Sequence, residues 1–149
     1  MDHLALLLVH LAATLFMCGL IWTIQVVHYP IFDRIAADGF AEFSKVHAGR
    51  ISAVLAVPWG LEVITTLALV ISPPPGVAGW LPWSGLILTA GIIAITALVS
   101  APLHSRLSHG FDAGLHRALV GTNWFRTALW STRGILAVLA VWQFSEIRA

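Results

Sequence analysis

The chain is short of the charged residues that soluble proteins carry on their surfaces. Only 10% of its 149 residues are charged and 58% are hydrophobic, whereas soluble domains have about 25% charged residues. The formal net charge is +1, with no basic cluster and no zinc-finger spacing. These shortages exclude an ordinary soluble domain and argue against a nucleic-acid partner.

Cysteine is almost absent, and several catalytic motifs are missing as well. Cys18 is the only cysteine, so the chain cannot form an internal disulfide, and a lone cysteine in an apolar run is more often packing than chemistry. There is no HExxH, no Glu-x-x-His, no nucleophile elbow and no glycine-rich phosphate loop. Hydrolase and nucleotide-binding activities are therefore poorly supported.

The apolar residues fall into four runs, each of about the 20 residues that a helix needs to cross a membrane. Because the backbone must satisfy its own hydrogen bonds in lipid, we expect these runs to be helices. The first run follows no basic segment and is longer than a signal-peptide core, so we interpret it as a retained span. We predict one integral membrane domain, 1–149, with spans at about 4–27, 46–71, 80–103 and 123–144.

The connections between the predicted spans differ in charge. Residues 29–45 mix charges with phenylalanines, which predicts a short interfacial amphipathic segment between the first two helices. Arginine and lysine gather there and in the connection between the third and fourth spans, while the turn at 72–79 has neither. The positive-inside rule then places the two basic connections in the cytoplasm and both termini outside. Arg148 is the exception to this pattern.

Each predicted span carries polar residues at the three-to-four-residue spacing of one helical face. Since the alternative is to face lipid tails, the four stripes predict the interior of an all-α, four-helix transmembrane bundle. Span by span, the stripes are His10, Thr14, Cys18, Gln25 and His28; His47, Glu62 and Thr65; Thr89, Thr96, Ser100 and His104; and Asn123, Arg126, Trp130 and Arg133.

Glu62 and Arg133 lie deep in their apolar runs, where ionisable side chains are costly unless they are paired or line a site. Two interpretations stay open. In the first, the two residues form a buried ion pair that fixes helix register, with Thr14 or Thr65 completing the hydrogen bonds. In the second, they are catalytic residues that act as a proton relay or form the floor of a substrate pocket.

Three histidines, His28, His47 and His104, fall at one depth on three different spans. Helical bundles build metal and haem sites in this way, and imidazole binds both transition metals and b-type haem. We therefore predict these three as metal ligands, the alternative being hydrogen bonds to headgroups and water. The remaining histidines near the membrane surface, His3, His109 and His116, are expected to be solvated.

The segment from Asn123 to Arg133 is the densest polar stripe. We predict that Asn123 and Arg126 act at the reacting centre by orienting an anionic or carbonyl oxygen, because buried donors act most strongly in a dry site. Arg50, Gln25 and Trp130 are predicted to contact a cofactor, with Arg50 suited to carboxylate groups such as haem propionates. The alternative interpretation of this segment is helix–helix packing with interfacial anchoring.

Several short motifs suggest relatives. Pro102-Leu103-His104, Asn123-Trp124-Phe125-Arg126-Thr127 and His28-Tyr29-Pro30, together with Arg133, resemble those of small four-helix bacterial membrane proteins. More distantly, the pattern is similar to the anthrone-oxygenase-like family, whose last helix opens with a Trp/Asn/His/Arg-Thr cluster. The resemblance implies oxidation of a hydrophobic ring compound and a location in the bacterial inner membrane. The chain departs from that family at Trp130 and Arg133, where the last helix tends to carry a histidine.

We therefore expect a membrane-embedded redox or oxygenase-like protein that acts on or binds a lipophilic ring compound, such as a quinone. Its polar His/Arg/Asn site would lie near the cytoplasmic interface. The alternative is a non-catalytic subunit that holds a cofactor or lipid in a larger respiratory or photosynthetic complex, and a third hypothesis is a ligand-sensing or lipid-binding module. The expected partners are the bilayer, a lipophilic small molecule and, under the alternative, other membrane subunits.

Overall fold

The computed structural model describes residues 2–146, and all the regular secondary structure in that range is helical. The α-helices are α1 (His3–Thr23), α2 (Phe40–Ile71), α3 (Trp80–Ile95), α4 (Ala101–Leu107) and α5 (Ala113–Glu146). A π-helical turn, Ile24–His28, extends α1, and a second one, Thr96–Ser100, joins α3 to α4 without a break. The result is four long helical segments: α1 with its π-helical turn, α2, α3 joined to α4, and α5.

The two π-helical turns lie at the same end of the molecule, where α1 leads into α2 and α4 into α5. We call this end the histidine end, and the opposite one the far end. Each turn comes shortly before a proline, Pro30 or Pro102, which cannot donate to the helical hydrogen-bond ladder. An i→i+5 turn holds one residue more than an α-helical turn, so the side chains that follow it face a different direction from those of a continuous α-helix. Such turns are frequent at functional sites.

The long helices pack in pairs: α1 lies against α2 and α5, and α3 also lies against α2 and α5. One buried apolar cluster at the far end includes Leu81 and Phe144. A second at the histidine end includes Phe32 and Leu119, and a smaller one between them surrounds Trp130. The polar interior residues lie between these clusters.

The distribution of side chains is the reverse of that in a soluble protein. Glu62 and Asn123 are completely buried, while Ile71 and Leu98 are 83% and 76% exposed. Within the described residues, three helices are long and apolar enough to cross a membrane, namely His3–Arg34, Phe40–Ile71 and Trp80–Leu107. These three contain the first three predicted spans.

The fourth predicted span, 123–144, lies within α5, which is 34 residues long but less apolar than the other three. Its polar residues are the reason, and they point inward: Asn123, Arg126 and Arg133 are all buried. The predicted inward polar face of this helix is confirmed. That α5 itself crosses the membrane stays a prediction.

Two helices extend beyond the spans predicted within them. α2 begins at Phe40 and α5 at Ala113, whereas the spans were predicted from about 46 and 123. Where the spans begin within these helices stays a prediction. The predicted amphipathic segment is divided between a 3-10 helix, Pro30–Arg34, and the first turns of α2. Phe32 in that 3-10 helix is fully buried among protein side chains. Arg148 lies outside the described residues.

Candidate functional site

Three helical segments bring His28, His47 and His104 together at the histidine end. His28 ends the π-helical turn after α1, His47 stands on α2 and His104 on α4. The Nε2 atom of His28 lies 2.9 Å from Nδ1 of His47, and the ring centroids of His47 and His104 are 5.8 Å apart. We call these three side chains the histidine row.

The histidine row does not form an assembled coordination shell. Within residues 2–146, no group of three or more His, Cys, Asp or Glu side chains is arranged to hold a metal ion. The facing nitrogens of His28 and His47 are at hydrogen-bond distance, and a structural zinc site needs four ligands. The assignment of His28, His47 and His104 to a metal or haem therefore stays a prediction.

Tyr29 connects the histidine row to the interior. The residue is 3% exposed, and its hydroxyl lies 2.8 Å from Nε2 of His104. Its carbonyl oxygen accepts a hydrogen bond of 2.8 Å from Nε2 of His116. The expectation that His116 is solvated is wrong, since it is 8% exposed. It is buried because α5 already begins at Ala113 and its first turns pack against the 3-10 helix.

Arg126, on the next turns of α5, is held by neutral partners. Its Nη1 donates to the side-chain oxygen of Asn123 at 3.2 Å and to the hydroxyl of Ser100 at 3.3 Å. The guanidinium also lies beside the hydroxyl of Tyr29. Asn123 in turn donates to the side-chain oxygen of Gln25 at 2.8 Å. Arg126 is thus positioned by side chains from three helical segments.

No carboxylate of the described chain neutralises Arg126. The residue is 6% exposed, and among residues 2–146 no carboxylate oxygen lies within 4.0 Å of its guanidinium nitrogens. Its Nε is buried without a hydrogen-bond partner. A buried charge is costly unless it is paired and fully hydrogen-bonded, so the chain alone compensates Arg126 incompletely.

Arg126 lines a cavity of about 500 Å³, a size that suits a small organic molecule. Two other buried nitrogens without hydrogen-bond partners, Nδ1 of His104 and Nε1 of Trp59, belong to residues that line the same cavity. The lining is polar at Tyr29, Ser100, His104 and Arg126, and apolar along α2 at Ile51, Leu55 and Trp59. The cavity therefore combines an apolar wall with several free donors and acceptors.

Glu62 and Arg133 occupy a different layer, nearer the middle of the molecule. The two side chains form an ion pair and are almost completely buried. Arg133 also donates to the carbonyl oxygen of Gly85 and, at 2.9 Å, to the hydroxyl of Thr66. Thr66 donates to the main-chain and side-chain oxygens of Glu62 at 2.8 and 3.2 Å. The predicted buried ion pair is confirmed.

The expected threonines do not reach the charged atoms of this pair. The hydroxyl of Thr65 lies 3.1 Å from the main-chain oxygen of Glu62 but faces α1, where it meets Nδ1 of His10 at 2.9 Å. The hydroxyl of Thr14 is buried without a partner. Only a void of about 20 Å³ adjoins Arg133, which is room for a water molecule and not for a substrate. The geometry favours a register-fixing pair, and a catalytic role for Glu62 and Arg133 stays a prediction.

Arg50, predicted to contact a cofactor, lies away from the Arg126 cavity. It is exposed and lines a groove of about 640 Å³ between α1 and α2, together with His28 and His47. The histidine row therefore separates two spaces, since His28 and His47 line the groove while His104 lines the cavity. The two spaces share only Ile24 and Ile51 among their lining residues.

The other two predicted cofactor contacts, Gln25 and Trp130, are inside the protein. Gln25 is buried, and its amide donates to the carbonyl oxygen of Val120 at 3.2 Å while its oxygen accepts from Asn123. Trp130 is fully buried in the middle apolar cluster. Gln25 therefore positions Asn123, and Trp130 lies between the Arg126 and Arg133 layers without lining the cavity.

Tyr29, Trp59 and Ser100 were not predicted as site residues, although all three line the cavity. Tyr29 is the only tyrosine of the chain and follows His28 directly. These two features could have identified it as a site residue. Ser100 belonged to a predicted polar stripe but was given no role of its own. Trp59 carried no signal, because one tryptophan among seven in an apolar run is ordinarily packing.

No protein-family model matches the chain, and no match is found among curated proteins or solved structures. The fold and the site define an all-helical protein in which three helices are long and apolar enough to cross a membrane, with a cavity that has both apolar and polar lining.

Proposed function

We propose that the chain is a four-helix transmembrane bundle of the redox or oxygenase-like class, which binds and acts on a lipophilic ring compound. The observation that carries this proposal is Arg126: a buried guanidinium without a carboxylate partner, in a cavity that has an apolar wall on its α2 side. An aromatic ring matches the wall formed by Leu55 and Trp59. A carbonyl or anionic oxygen on that ring matches Arg126, because a guanidinium donates well to such acceptors.

In this proposal α5 is the fourth span, with its polar face toward the other three helices. The connections at the histidine end carry Arg34, Lys45, Arg106 and Arg117, while the turn at 72–79 carries no arginine or lysine. The histidine end then faces the cytoplasm, in keeping with the positive-inside rule. A ligand dissolved in the bilayer reaches the cavity laterally, between α2 and the segment formed by α3 and α4.

Each polar side chain of the cavity has a distinct part in this proposal. Arg126 holds the ligand oxygen, and Asn123 and Gln25 hold Arg126, since a precise site needs supporting hydrogen bonds. Tyr29 and His104 form a hydrogen-bonded pair beside that oxygen, a suitable arrangement for giving or taking a proton. Glu62 and Arg133 fix the register of α2 against α5 and keep the cavity in shape.

The test is to fill the cavity and leave its surroundings intact. Ala48 lines the cavity, while the exposed Ala12 on α1 lines a depression that shares no lining residue with it. We expect protein in lipid nanodiscs to bind 1,4-naphthoquinone, and Ala48→Phe to lose that binding while Ala12→Phe keeps it. Tryptophan quenching by the quinone measures both. Absence of binding to the wild type, or equal binding by Ala48→Phe, would contradict the proposal.

The alternative is a non-catalytic subunit that holds a cofactor or lipid in a larger membrane complex. It is favoured by the lack, within the described residues, of an assembled metal group beside the cavity. Oxygen consumption with an anthrone as substrate separates the two functions. Turnover that Tyr29→Phe abolishes supports the enzyme. Binding without turnover, together with membrane subunits that copurify, supports the alternative.

A further inference from the structure

Two buried arginines on one helix are treated differently by the rest of the chain. Arg133 has a carboxylate partner, Glu62, and an almost closed environment. The Nε atoms of both arginines lack a hydrogen-bond partner, but Arg126 has only neutral partners and a cavity of about 500 Å³ beside it. The described chain thus supplies a counter-charge for Arg133 but supplies none for Arg126.

No carboxylate in the described cavity lining provides this counter-charge. No aspartate or glutamate is among the described residues that line the cavity, and its outer end carries a second cation, Lys45. A neutral carbonyl would accept hydrogen bonds from Arg126 but would leave the positive charge in place. Since a buried charge without a counter-ion is penalised by several kcal/mol, an anion fits this site better than any neutral acceptor.

The anion must nevertheless enter from the membrane. Ions partition poorly into hydrocarbon, whereas a neutral phenol or enol dissolves there. A lipophilic weak acid meets both requirements, because it travels as the neutral form and is bound as the charged one. Its aromatic ring is the part that the apolar wall at Ile51, Leu55 and Trp59 accommodates.

We propose that the natural ligand is an aromatic weak acid, a phenol or hydroxyquinone, which the cavity binds as its anion on Arg126. The inference rests on the proposed function and names the ligand's chemistry. On binding, the O–H bond breaks, the oxygen keeps the electron pair and pairs with the guanidinium, and the proton passes to water at the histidine end. No electron is transferred in this step, so the ligand binds without a redox partner.

The test uses two probes of nearly the same shape. 2-Naphthol is a weak acid that is neutral in neutral solution, and 2-methoxynaphthalene is its counterpart without an acidic proton. With protein in lipid nanodiscs, we expect 2-naphthol to bind at least about tenfold more tightly, or about 1.4 kcal/mol, which is the contribution of the ion pair that remains after the cost of deprotonation. The absorbance of bound 2-naphthol should be that of the naphtholate, and binding should release one proton to a pH indicator in solution.

Variants assign the effect to Arg126. Arg126→Gln should bind both probes with similar affinity and leave 2-naphthol in its neutral form. Arg106→Gln is the matched control, because Arg106 lies exposed at the same end of the molecule and outside the cavity lining. The control should show the naphtholate spectrum of the wild type.

Two results would overturn the inference without touching the proposed function. In the first, both probes bind with equal affinity and bound 2-naphthol stays neutral. The site would then accept lipophilic rings without selecting acids. The other is a tyrosinate absorbance band in the ligand-free protein at neutral pH. Tyr29 is the only tyrosine of the chain, so that band would show that Tyr29 itself supplies the anion. Failure of both probes to bind would instead contradict the proposed function.

Discussion

Arg126 and Arg133 stand seven positions apart on the same face of α5, about 10 Å along the helix axis, yet their surroundings have little in common. Arg133 is tied to Glu62, Thr66 and the carbonyl oxygen of Gly85, in a layer with room for little more than one water. Arg126 is held by Asn123 and Ser100 and opens onto a cavity.

The contrast shows that burial of a charge does not by itself indicate either a structural or a functional role. Both arginines are almost fully buried, and both would be classed as unusual in a membrane helix. What separates them is the origin of the compensating charge. Arg133, which the chain pairs with a carboxylate, contributes to stability, while Arg126, which has only neutral partners, is available to a ligand.

The largest expected effect concerns the ion pair. Arg133→Leu should lower the free energy of unfolding by about 3–5 kcal/mol, because it leaves Glu62 charged and unpaired in the interior. The double variant Arg133→Leu/Glu62→Leu should recover most of that loss. Chemical denaturation in detergent measures both. Equal losses in the single and double variants would show that the pair is not what stabilises this layer.

The next effect concerns Arg126 and should fall on ligand binding, not on stability. Arg126→Leu should weaken binding of 2-naphthol by about a hundredfold, or about 2.8 kcal/mol. Its free energy of unfolding without ligand should change by less than about 1 kcal/mol, since the lost hydrogen bonds are offset by removal of a poorly compensated charge. Chemical denaturation measures the free energy of unfolding, and equilibrium dialysis measures the affinity for 2-naphthol. A stability loss as large as that of Arg133→Leu would remove the contrast between the layers.

A smaller effect is expected from Gln25, which orients the Asn123 side chain that holds Arg126. Gln25→Leu removes the acceptor that orients Asn123, and should weaken 2-naphthol binding by about tenfold, near 1.4 kcal/mol. Gln143→Leu is the matched control, since Gln143 makes a comparable bond at the far end, to the amide of Ala78 at 2.8 Å. If the two glutamine variants bind the probe equally well, Asn123 does not position Arg126.

The smallest effect is expected at Tyr29. Tyr29→Phe keeps the buried ring and removes only the hydroxyl beside Arg126, so 2-naphthol binding should weaken by about three- to tenfold, as for one neutral hydrogen bond. Thr132→Val, which removes an exposed hydroxyl on α5, should leave binding unchanged. An unaltered affinity of Tyr29→Phe would place the ligand oxygen away from this residue.

The parts of the fold that follow from helical periodicity were predictable. The stripe on α5 was predicted to face inward because Asn123, Arg126 and Arg133 recur at helical spacing, and the structure confirms it. Helix ends were less predictable, since charged residues at an interface do not stop a helix. His116 was expected to be solvated because it lies before the predicted span at 123–144, but the helix that contains it begins at Ala113.

The difference between Arg126 and Arg133 could not be predicted from the sequence. Counting residues along a helix gives an approximate depth, but it does not show which side chains of other helices lie opposite. Thr66 was missed in favour of Thr65 for the same reason, because one position on α2 turns the side chain toward another neighbour. The cavity depends on packing between α2 and the α3–α4 segment, for which no single stretch of sequence carries a signal.

The most direct test of the central claim measures whether an acidic ligand stabilises the protein through Arg126. Thermal unfolding in nanodiscs would be followed with and without 2-naphthol for the wild type, Arg126→Leu and Arg133→Leu/Glu62→Leu. A ligand that binds only the folded state raises its stability, so the unfolding temperature should rise for the wild type and the double variant and stay constant for Arg126→Leu. A rise in Arg126→Leu equal to that of the wild type would contradict the claim that Arg126 receives its counter-charge from the ligand.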